Sequence, residues 1–311
     1  VVVAALILDL LIGDPRWFPH PVVYVGKLIT ALEKALRSAV RNERLGGALL
    51  LVMTVGISCG VAVTMLKLAY AINTYLGFIV AVLLSWSCIA ARSLHQESRL
   101  VADTLVRGDL AAARKYLSNI VGRDTAELDE SEIWRATVET VAENTSDGVI
   151  APLFYLFLGG PVLAITYKAV NTLDSMVGYR NERYLKFGRA SARFDDLVNF
   201  IPARITGLLI VAAAPLLSLS ARDAWRIMRR DGRNHSSPNS GISEAAVAGA
   251  LGVRLGGTNV YAGKPVTKPT IGDAVQPLSH SSWCGAIRLM YGAEALLVGG
   301  WLIMTSILFS P

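Results

Sequence analysis

Residues 45–66 read LGGALLLVMTVGISCGVAVTML, 22 residues without a charge between Arg44 and Lys67. Residues 68–91 continue with LAYAINTYLGFIVAVLLSWSCIAA, 24 more before Arg92. A helix rises about 1.5 Å per residue, so either stretch is long enough to cross a hydrocarbon layer about 30 Å thick. Only Lys67 separates them, so they form a tight hairpin or meet at a bend. This pair makes the chain a membrane protein.

The composition agrees. Of 311 residues, 53% are hydrophobic and 17% charged, where an average soluble domain has roughly 25% charged. That balance excludes disorder and coiled coil, and argues against an ordinary soluble enzyme. The formal charge of +6 is compatible with nucleic acid, but interleaved acids and long apolar runs assign it to asymmetric membrane loops, and no nucleic-acid partner is expected. Cys59, Cys88 and Cys284 show no ligand spacing and read as inert thiols. The histidines at 20, 95, 235 and 280 are too scattered for a zinc motif.

Working outward, a third apolar run, GVIAPLFYLFLGGPVLAITY (148–167), carries three Gly and two Pro. It reads as a broken or re-entrant element, whose freed backbone groups need partners in protein or cavity water. A fourth run covers 205–221, and a fifth roughly 289–308, interrupted by Glu294. The opening VVVAALILDLLI has 12 residues and contains Asp9, too short to span alone. No signal-peptide pattern is expected. The fold class expected is all-α: a polytopic membrane protein with about four to six embedded helical segments, one of them broken or re-entrant, and helical polar loops. With no repeat or linker visible, 1–311 is expected to be a single membrane-embedded domain.

The loops differ in charge. Residues 13–47 hold six basic and three acidic groups, 92–147 seven and eleven, 168–204 seven and four, and 222–288 nine and four. Arg37, Arg41, Arg44, Arg92, Arg222, Arg226, Arg229 and Arg230 lie near helix ends, which favours the cytoplasmic face for their loops. A multi-pass protein of the cell membrane with its site facing the cytoplasm is the expectation.

Four polar blocks carry the candidate chemistry. GDPRWFPHP (13–21) offers Asp14, Arg16 and His20 as an anion- or metal-facing cap, with an interfacial turn as the plainer alternative. In ELDESEIWRATVETVAENTSDG (127–148), Glu132, Glu139 and Glu143 fall near one helix face. Glu139 and Glu143 are a like-charge pair one turn apart, unfavourable unless a cation lies between them. Asn144 and Asp147 add oxygen donors of the kind Mg²⁺ takes, usually with phosphate completing its shell; a solvated acidic helix is the plainer alternative. In KAVNTLDSMVGYRNERYLKFGRASARFDDLVNFIPAR (168–204), Lys168, Asn171 and Asp174 accompany a cationic stretch containing Arg180, Arg189 and Arg193. Polar groups inside or at the edge of a membrane are costly and mark sites, whereas an interfacial amphipathic helix explains only the Arg and Tyr residues. In DGRNHSSPNSGISEAAVAGALGVRLGG (231–257), Asn239 or Ser240 can cap a helix starting near Gly241, with Glu244 in its first turn. His235, Asn239 and Gly241 thus frame a plausible phosphate seat at a helix start, though neither a P-loop nor a dinucleotide fingerprint is present.

These residues alone point to a membrane enzyme or transporter for a large anionic substrate, acting with Mg²⁺. Together and in order, DLLIGDPRWFPHPVVYVGKLI (9–29), VAENTSDGVIAPLFYLFLGG (141–160), the 167–205 block and the 231–257 block closely resemble the CobD/CbiB family of cobalamin biosynthesis, adenosylcobinamide-phosphate synthases. The family often has PSPN before the glycine; here the match is the Pro238-Asn239-x-Gly241 core. The resemblance implies amide formation between adenosylcobyric acid, an adenosylated corrinoid, and (R)-1-amino-2-propanol or its O-phosphate. A carboxylate is a poor acylating agent, so ATP with Mg²⁺ forming an acyl phosphate is the expected activation, and no Ser or Cys triad supports an acyl-enzyme.

On this reading Glu139, Glu143, Asp174 and Lys168 are the candidate catalytic groups. Arg16, Arg180, Arg189, Arg193, His235, Asn239 and Gly241 are the candidate ligand-binding set, and Asp14, Asn144, Asp147 and Asn171 the candidate metal donors. Corrinoid, amino alcohol, membrane lipid and other proteins of the same pathway are the expected partners. The rival reading is a transporter whose intramembrane Asp and Asn bind an anionic solute; against it, no inverted halves are visible. A non-catalytic sensory or assembly subunit is the third reading.

Overall fold

The computed structural model describes residues 1–15, 20–179, 181–261 and 263–308. Its elements follow the chain as α1 (Val2–Ile12), α2 (Pro21–Ala39), α3 (Glu43–Ile72), α4 (Thr74–Trp86), α5 (Ala91–Val106), α6 (Leu110–Leu117) and α7 (Glu130–Asn144). A π-helical turn (Thr145–Ile150) leads to α8 (Ala151–Val177), α9 (Arg189–Val198), α10 (Phe200–Leu216), α11 (Ala221–Asp231) and α12 (Ser240–Leu251). Strands β1 (Leu255–Tyr261) and β2 (Lys264–Ile271) then precede α13 (His280–Leu308). The fold is therefore helical as expected, with one antiparallel β-hairpin that the all-α reading did not contain.

Among the described residues, four helices are long and apolar enough to cross a membrane, within 43–72, 74–106, 130–177 and 280–308, or five if α9 and α10 act as one broken span. The uncharged run that decides the fold class is α3, and Asn73 alone separates it from α4. That residue's side chain accepts from Tyr75 N at 2.7 Å and caps the second helix. The third apolar run is broken. Gly159 and Gly160 leave helical geometry inside α8, Gly160 at φ 65 and ψ −161, a region essentially reserved for glycine. Pro161 follows where a helix restarts and needs no N–H partner.

The contacts cluster the chain into two compact units, residues 1–92 with 151–199 and residues 93–150 with 200–311. The first unit packs α2, α3, α4, α8 and α9 together. Its core includes Ile29 and Leu36 of α2, Leu50 of α3, Leu173 and Val177 of α8, and Phe187. Gly47 makes this possible: a Cβ there would lie 1.7 Å from the Phe187 carbonyl oxygen. Asp9 of α1 is fully buried and accepts from Arg92 N at 3.2 Å, capping the start of α5 from a distant part of the chain.

The second unit is built on α7, whose residues from Ile133 to Ala142 are all buried except Arg135. Helices α12 and α13 and the π turn pack against it, α10 packs on the π turn, α12 and α13, and α11 packs on α12. Gly249 sets that last approach, because a Cβ would stand 2.4 Å from the Asp223 carbonyl oxygen. The hairpin docks on α7 and α12.

Candidate functional site

The second unit contains a polar cleft of about 680 Å³, counted to its open mouth. Its lining includes Arg123, Glu139, Glu143, Asn144, His235, Glu244, Asn259 and Lys268. Helix α7 supplies one wall. A capping box starts it: Glu132 N donates to Asp129 Oδ1 at 2.7 Å and Asp129 N to Glu132 Oε2 at 2.9 Å. Glu132, grouped by periodicity with Glu139 and Glu143, is thereby committed to the helix start.

Glu139 is buried and its oxygens are engaged. Arg123 Nη2 donates to it at 2.6 Å, Gly256 N at 2.8 Å and Arg135 Nη1 at 3.4 Å. Arg123 also reaches Asn259 Oδ1 at 2.7 Å, and Arg135 reaches the same atom at 3.1 Å, the Thr258 carbonyl at 3.2 Å and the Gly256 carbonyl. Glu139 thus neutralises two guanidinium groups that grip β1, and this explains the adjacent glutamates: the cation that such a pair requires is present. The solvated acidic helix is ruled out by burial.

Glu143, one turn on, faces the cleft and accepts from Ser240 Oγ at 3.0 Å. Asn144 Nδ2 donates to the Thr140 carbonyl at 3.0 Å, which directs its amide oxygen elsewhere. Asp147 lies in the π turn that follows, and such turns recur at functional sites because they re-aim side chains.

The opposite wall comes from the 231–244 block and β2. Asn239 precedes α12, but its Oδ1 accepts from Arg204 Nη1 at 2.7 Å instead of capping the helix. Ser237 Oγ takes over, accepting from Asn239 N at 3.2 Å and Ser240 N at 3.4 Å. Gly241 has a packing role, since a Cβ would lie 2.8 Å from both the Gly232 carbonyl and His235 Cβ. The fold-back of 232–241 over this glycine brings His235 into the cleft.

His235 Nδ1 accepts from Ser237 N at 3.1 Å, while Nε2 stands 3.2 Å from Lys268 Nζ and 4.0 Å from Glu244 Oε1. Burial and the neighbouring Lys268 charge hold the imidazole below its ordinary pKa, against the opposing pull of Glu143 and Glu139. Glu244 is pushed well above the carboxylate range by burial and then by Glu139 and Glu143. The cleft therefore holds a neutral imidazole beside a carboxyl that resists ionisation, an arrangement suited to proton transfer.

The remaining predicted residues belong to the first unit. His20 Nε2 lies 3.3 Å from Asp14 Oδ1, and His20 Nδ1 accepts from Val22 N at the start of α2. Lys168, Asn171 and Asp174 recur every three residues along α8. Arg189 and Arg193 are exposed on α9, without an ion pair among the described residues. Arg16 and Arg180 lie outside the described residues. Nearby, Asp195 Oδ2 accepts from Asn199 Nδ2 at 3.0 Å, and Asn199 Oδ1 from the Tyr167 hydroxyl at 2.8 Å. Arg183 and Arg37 both bind Glu33, at 3.0 and 2.9 Å.

The structure lines this cleft with Glu139, Glu143, Asn144 and His235, all singled out from sequence, and adds Arg123, Asn259 and Lys268, which lie in none of the four polar blocks. Glu244 was visible as a first-turn acid, which is a common capping position and carries no sign of burial. Among the described residues, no set of three or more His, Cys, Asp or Glu side chains is placed to hold a metal ion by itself.

Comparison with known proteins places this geometry in context. The family model described as CobD/Cbib protein matches residues 2–290. The chain is 67% identical over 308 residues to the cobalamin biosynthesis protein CobD of Geobacter metallireducens, covering 99% of this chain and 97% of that one. It is 57% identical to the CobD of Pelobacter propionicus, over 94% and 90% of the two chains. It is 50% identical to the CbiB of Salmonella typhi, over 94% and 92%. No solved structure matches. The chain belongs to the CobD/CbiB family of membrane proteins, and its role lies in cobalamin biosynthesis.

Proposed function

We propose that the protein is an amide-forming ligase, an adenosylcobinamide-phosphate synthase, joining adenosylcobyric acid to (R)-1-amino-2-propanol or its O-phosphate. The observation that carries this reading is the second unit's cleft, where Glu143, His235, Glu244, Lys268 and Arg123 converge. A carboxylate oxygen of the corrinoid attacks the terminal phosphorus of ATP and ADP leaves, giving an acyl phosphate. The amine nitrogen then attacks the acyl carbon, the C–N bond forms, and phosphate departs.

Two tasks fall to the chain's own residues. The amine reaches the enzyme as an ammonium ion and must lose a proton before it attacks. His235, held neutral with its lone pair at Nδ1, accepts that proton there in exchange for the Ser237 N–H bond, and Glu143 orients the ammonium beforehand. Lys268 supplies positive charge for phosphate oxygens, the charge neutralisation that acyl-phosphate chemistry needs. The cleft's polar lining suits an amino-alcohol phosphate or a phosphate tail; a corrinoid is far larger and presents only its reacting side chain.

Mg²⁺ would be held by Glu143 and the Asn144 carbonyl oxygen, with Asp147 close by in sequence. So small a donor set fits an ion that arrives with nucleotide, because Mg²⁺ commonly takes one or two carboxylates and completes its shell with phosphate and water. Bound there, it would neutralise the transferred phosphoryl group. Within the first unit, Arg189, Arg193, Lys168, Asn171 and Asp174 are proposed as polar ligand contacts, with Asp14 beside His20 as a further polar group. The site opens to the cytoplasm, where both substrates arise.

The test incubates detergent-solubilised protein with adenosylcobyric acid, the amine or its phosphate, ATP and Mg²⁺, and follows the amide by mass, omitting each component in turn. Product is expected only with all of them. Equal product without nucleotide would refute acyl-phosphate activation. No product under any condition, with solute flux in liposomes instead, would hand the case to the transporter reading.

A further inference from the structure

Helix α11 has two faces with different fates. Ala224, Ile227 and Asp231 are buried, and the close approach at Gly249 fixes that side against α12. On the other side Arg222, Trp225, Arg226 and Arg229 recur at helical spacing, with Arg233 just beyond the helix end, and all five are exposed. Trp225 is 42% exposed. The apolar side of the helix is already used, so the core gives no account of this tryptophan.

The charges on this face do not balance. Arg226 pairs with Asp223 at 3.1 Å and Asp273 at 3.0 Å, and Arg230 pairs with Asp231 at 2.7 Å and Asp273 at 2.9 Å. Those pairs tie the helix to the segment after β2, where Gly272 N also donates to Asp231 at 2.8 Å. Among the described residues Arg222, Arg229 and Arg233 form no ion pair; Arg229 stands 5.7 Å from the Trp225 ring. Five arginines thus face three aspartates, and the excess is presented on a helix that cannot swing away.

Its position names the occupant. Helix α10 is an apolar segment, and only 217–220 separate it from α11. Leu219 N donates to the Ala214 carbonyl at 2.8 Å, and Ser218 adopts a left-handed φ of 59, so the reversal is tight. Even fully extended, five steps reach only about 18 Å. With α10 taken as the membrane-embedded part of the bent α9–α10 pair, the basic face begins at headgroup depth, where unpaired arginines meet an anionic leaflet and an exposed tryptophan sits at the boundary.

We infer that the outer face of α11 is a docking surface for anionic phospholipid headgroups, with Arg222, Arg229 and Arg233 as phosphate contacts and Trp225 as the interfacial anchor. The surface is independent of the proposed reaction. It acts by electrostatics, because its side chains are charged and no apolar stripe faces outward.

The experiment places the full chain in nanodiscs doped with brominated phosphatidylglycerol or brominated phosphatidylcholine. Quenching at Trp225 is taken as the difference between the parent protein and Trp225→Phe. Phosphatidylglycerol is expected to quench at lower mole fraction, with a selectivity that three surface arginines could raise to on the order of 100-fold at most. Arg222→Gln/Arg229→Gln/Arg233→Gln is expected to lose at least about tenfold of that selectivity, while the triple Lys variant retains most of it. High salt should also shrink it. Equal quenching by both lipids, unchanged selectivity in the triple Gln variant, or identical quenching in Trp225→Phe would each overturn the inference.

Discussion

Two glutamates one turn apart on α7 meet different surroundings. Glu139 is saturated by Arg123, Arg135 and Gly256 N, whereas Glu143 has Ser240 Oγ as its donor and faces the cleft. Glu143→Gln keeps the shape and removes the charge proposed to orient the amine, so amide synthesis should fall by about 100-fold or more. Corrinoid binding, measured by absorbance titration, should stay within a factor of about two. Turnover at the parent rate would remove Glu143 from the chemistry. His235 permits a sign-specific prediction. Burial and Lys268 lower its pKa, while Glu139 and Glu143 oppose them and Glu244 lies close by. On the proposed mechanism the neutral ring is the active form, so rate is present above that pKa and lost as pH falls through it. Lys268→Met removes a cation 3.2 Å from Nε2. The pKa should rise and the acid limb of the rate profile should move to higher pH, whereas a purely structural Lys268 would lower the rate equally at every pH.

At the scale of elements, the hairpin decides whether the cleft exists. Its strand β1 is gripped through Asn259 and main-chain carbonyls by Arg123 and Arg135, and Glu139 neutralises both. Glu139→Gln leaves two buried guanidinium groups without a counter-charge, a loss on the order of 3 kcal/mol for a buried pair. Amide exchange over 255–271 should accelerate while α3 stays protected, and exchange unchanged in the hairpin would deny Glu139 this anchoring role. The sequence made the helices readable because their signals are local. An uncharged run of 22 residues, Pro21 at the start of α2, and Gly159–Gly160 inside α8 each act within a turn or two. The hairpin was not readable: LGGTNVY and KPVTKPTI alternate poorly, contain two prolines, and are only partly buried. Their pairing is held by arginines more than 110 residues away in sequence. The cleft shared that fate, since Lys268 and Asn259 arrive on the hairpin.

At the scale of the whole chain, the two units follow no visible change in composition. The chain passes between units at 92/93, 150/151 and 199/200, each time within or beside a helix, so no linker composition marks a boundary. What the sequence does carry at this scale is charge. Loop 13–47 has twice as many basic as acidic groups, and 222–288 has nine against four. Arginines near helix ends hold such loops on the cytoplasmic side during insertion. With α3 and α4 crossing in succession, their junction near Asn73 belongs on the other face. A variant lacking Cys59, Cys88 and Cys284 can carry one reporter at a time. Ser38→Cys, in the first basic loop, and Lys264→Cys, on the exposed hairpin, should react with a membrane-impermeant maleimide in inverted vesicles and not in intact cells. Tyr75→Cys, at a position 80% exposed at the start of α4, should show the opposite pattern. Because Lys264 shares β2 with Lys268, the same measurement reports which face the cleft serves. Labelling of Lys264→Cys from outside would place the cleft away from cytoplasmic nucleotide, and an ATP-dependent reaction there would have no supply.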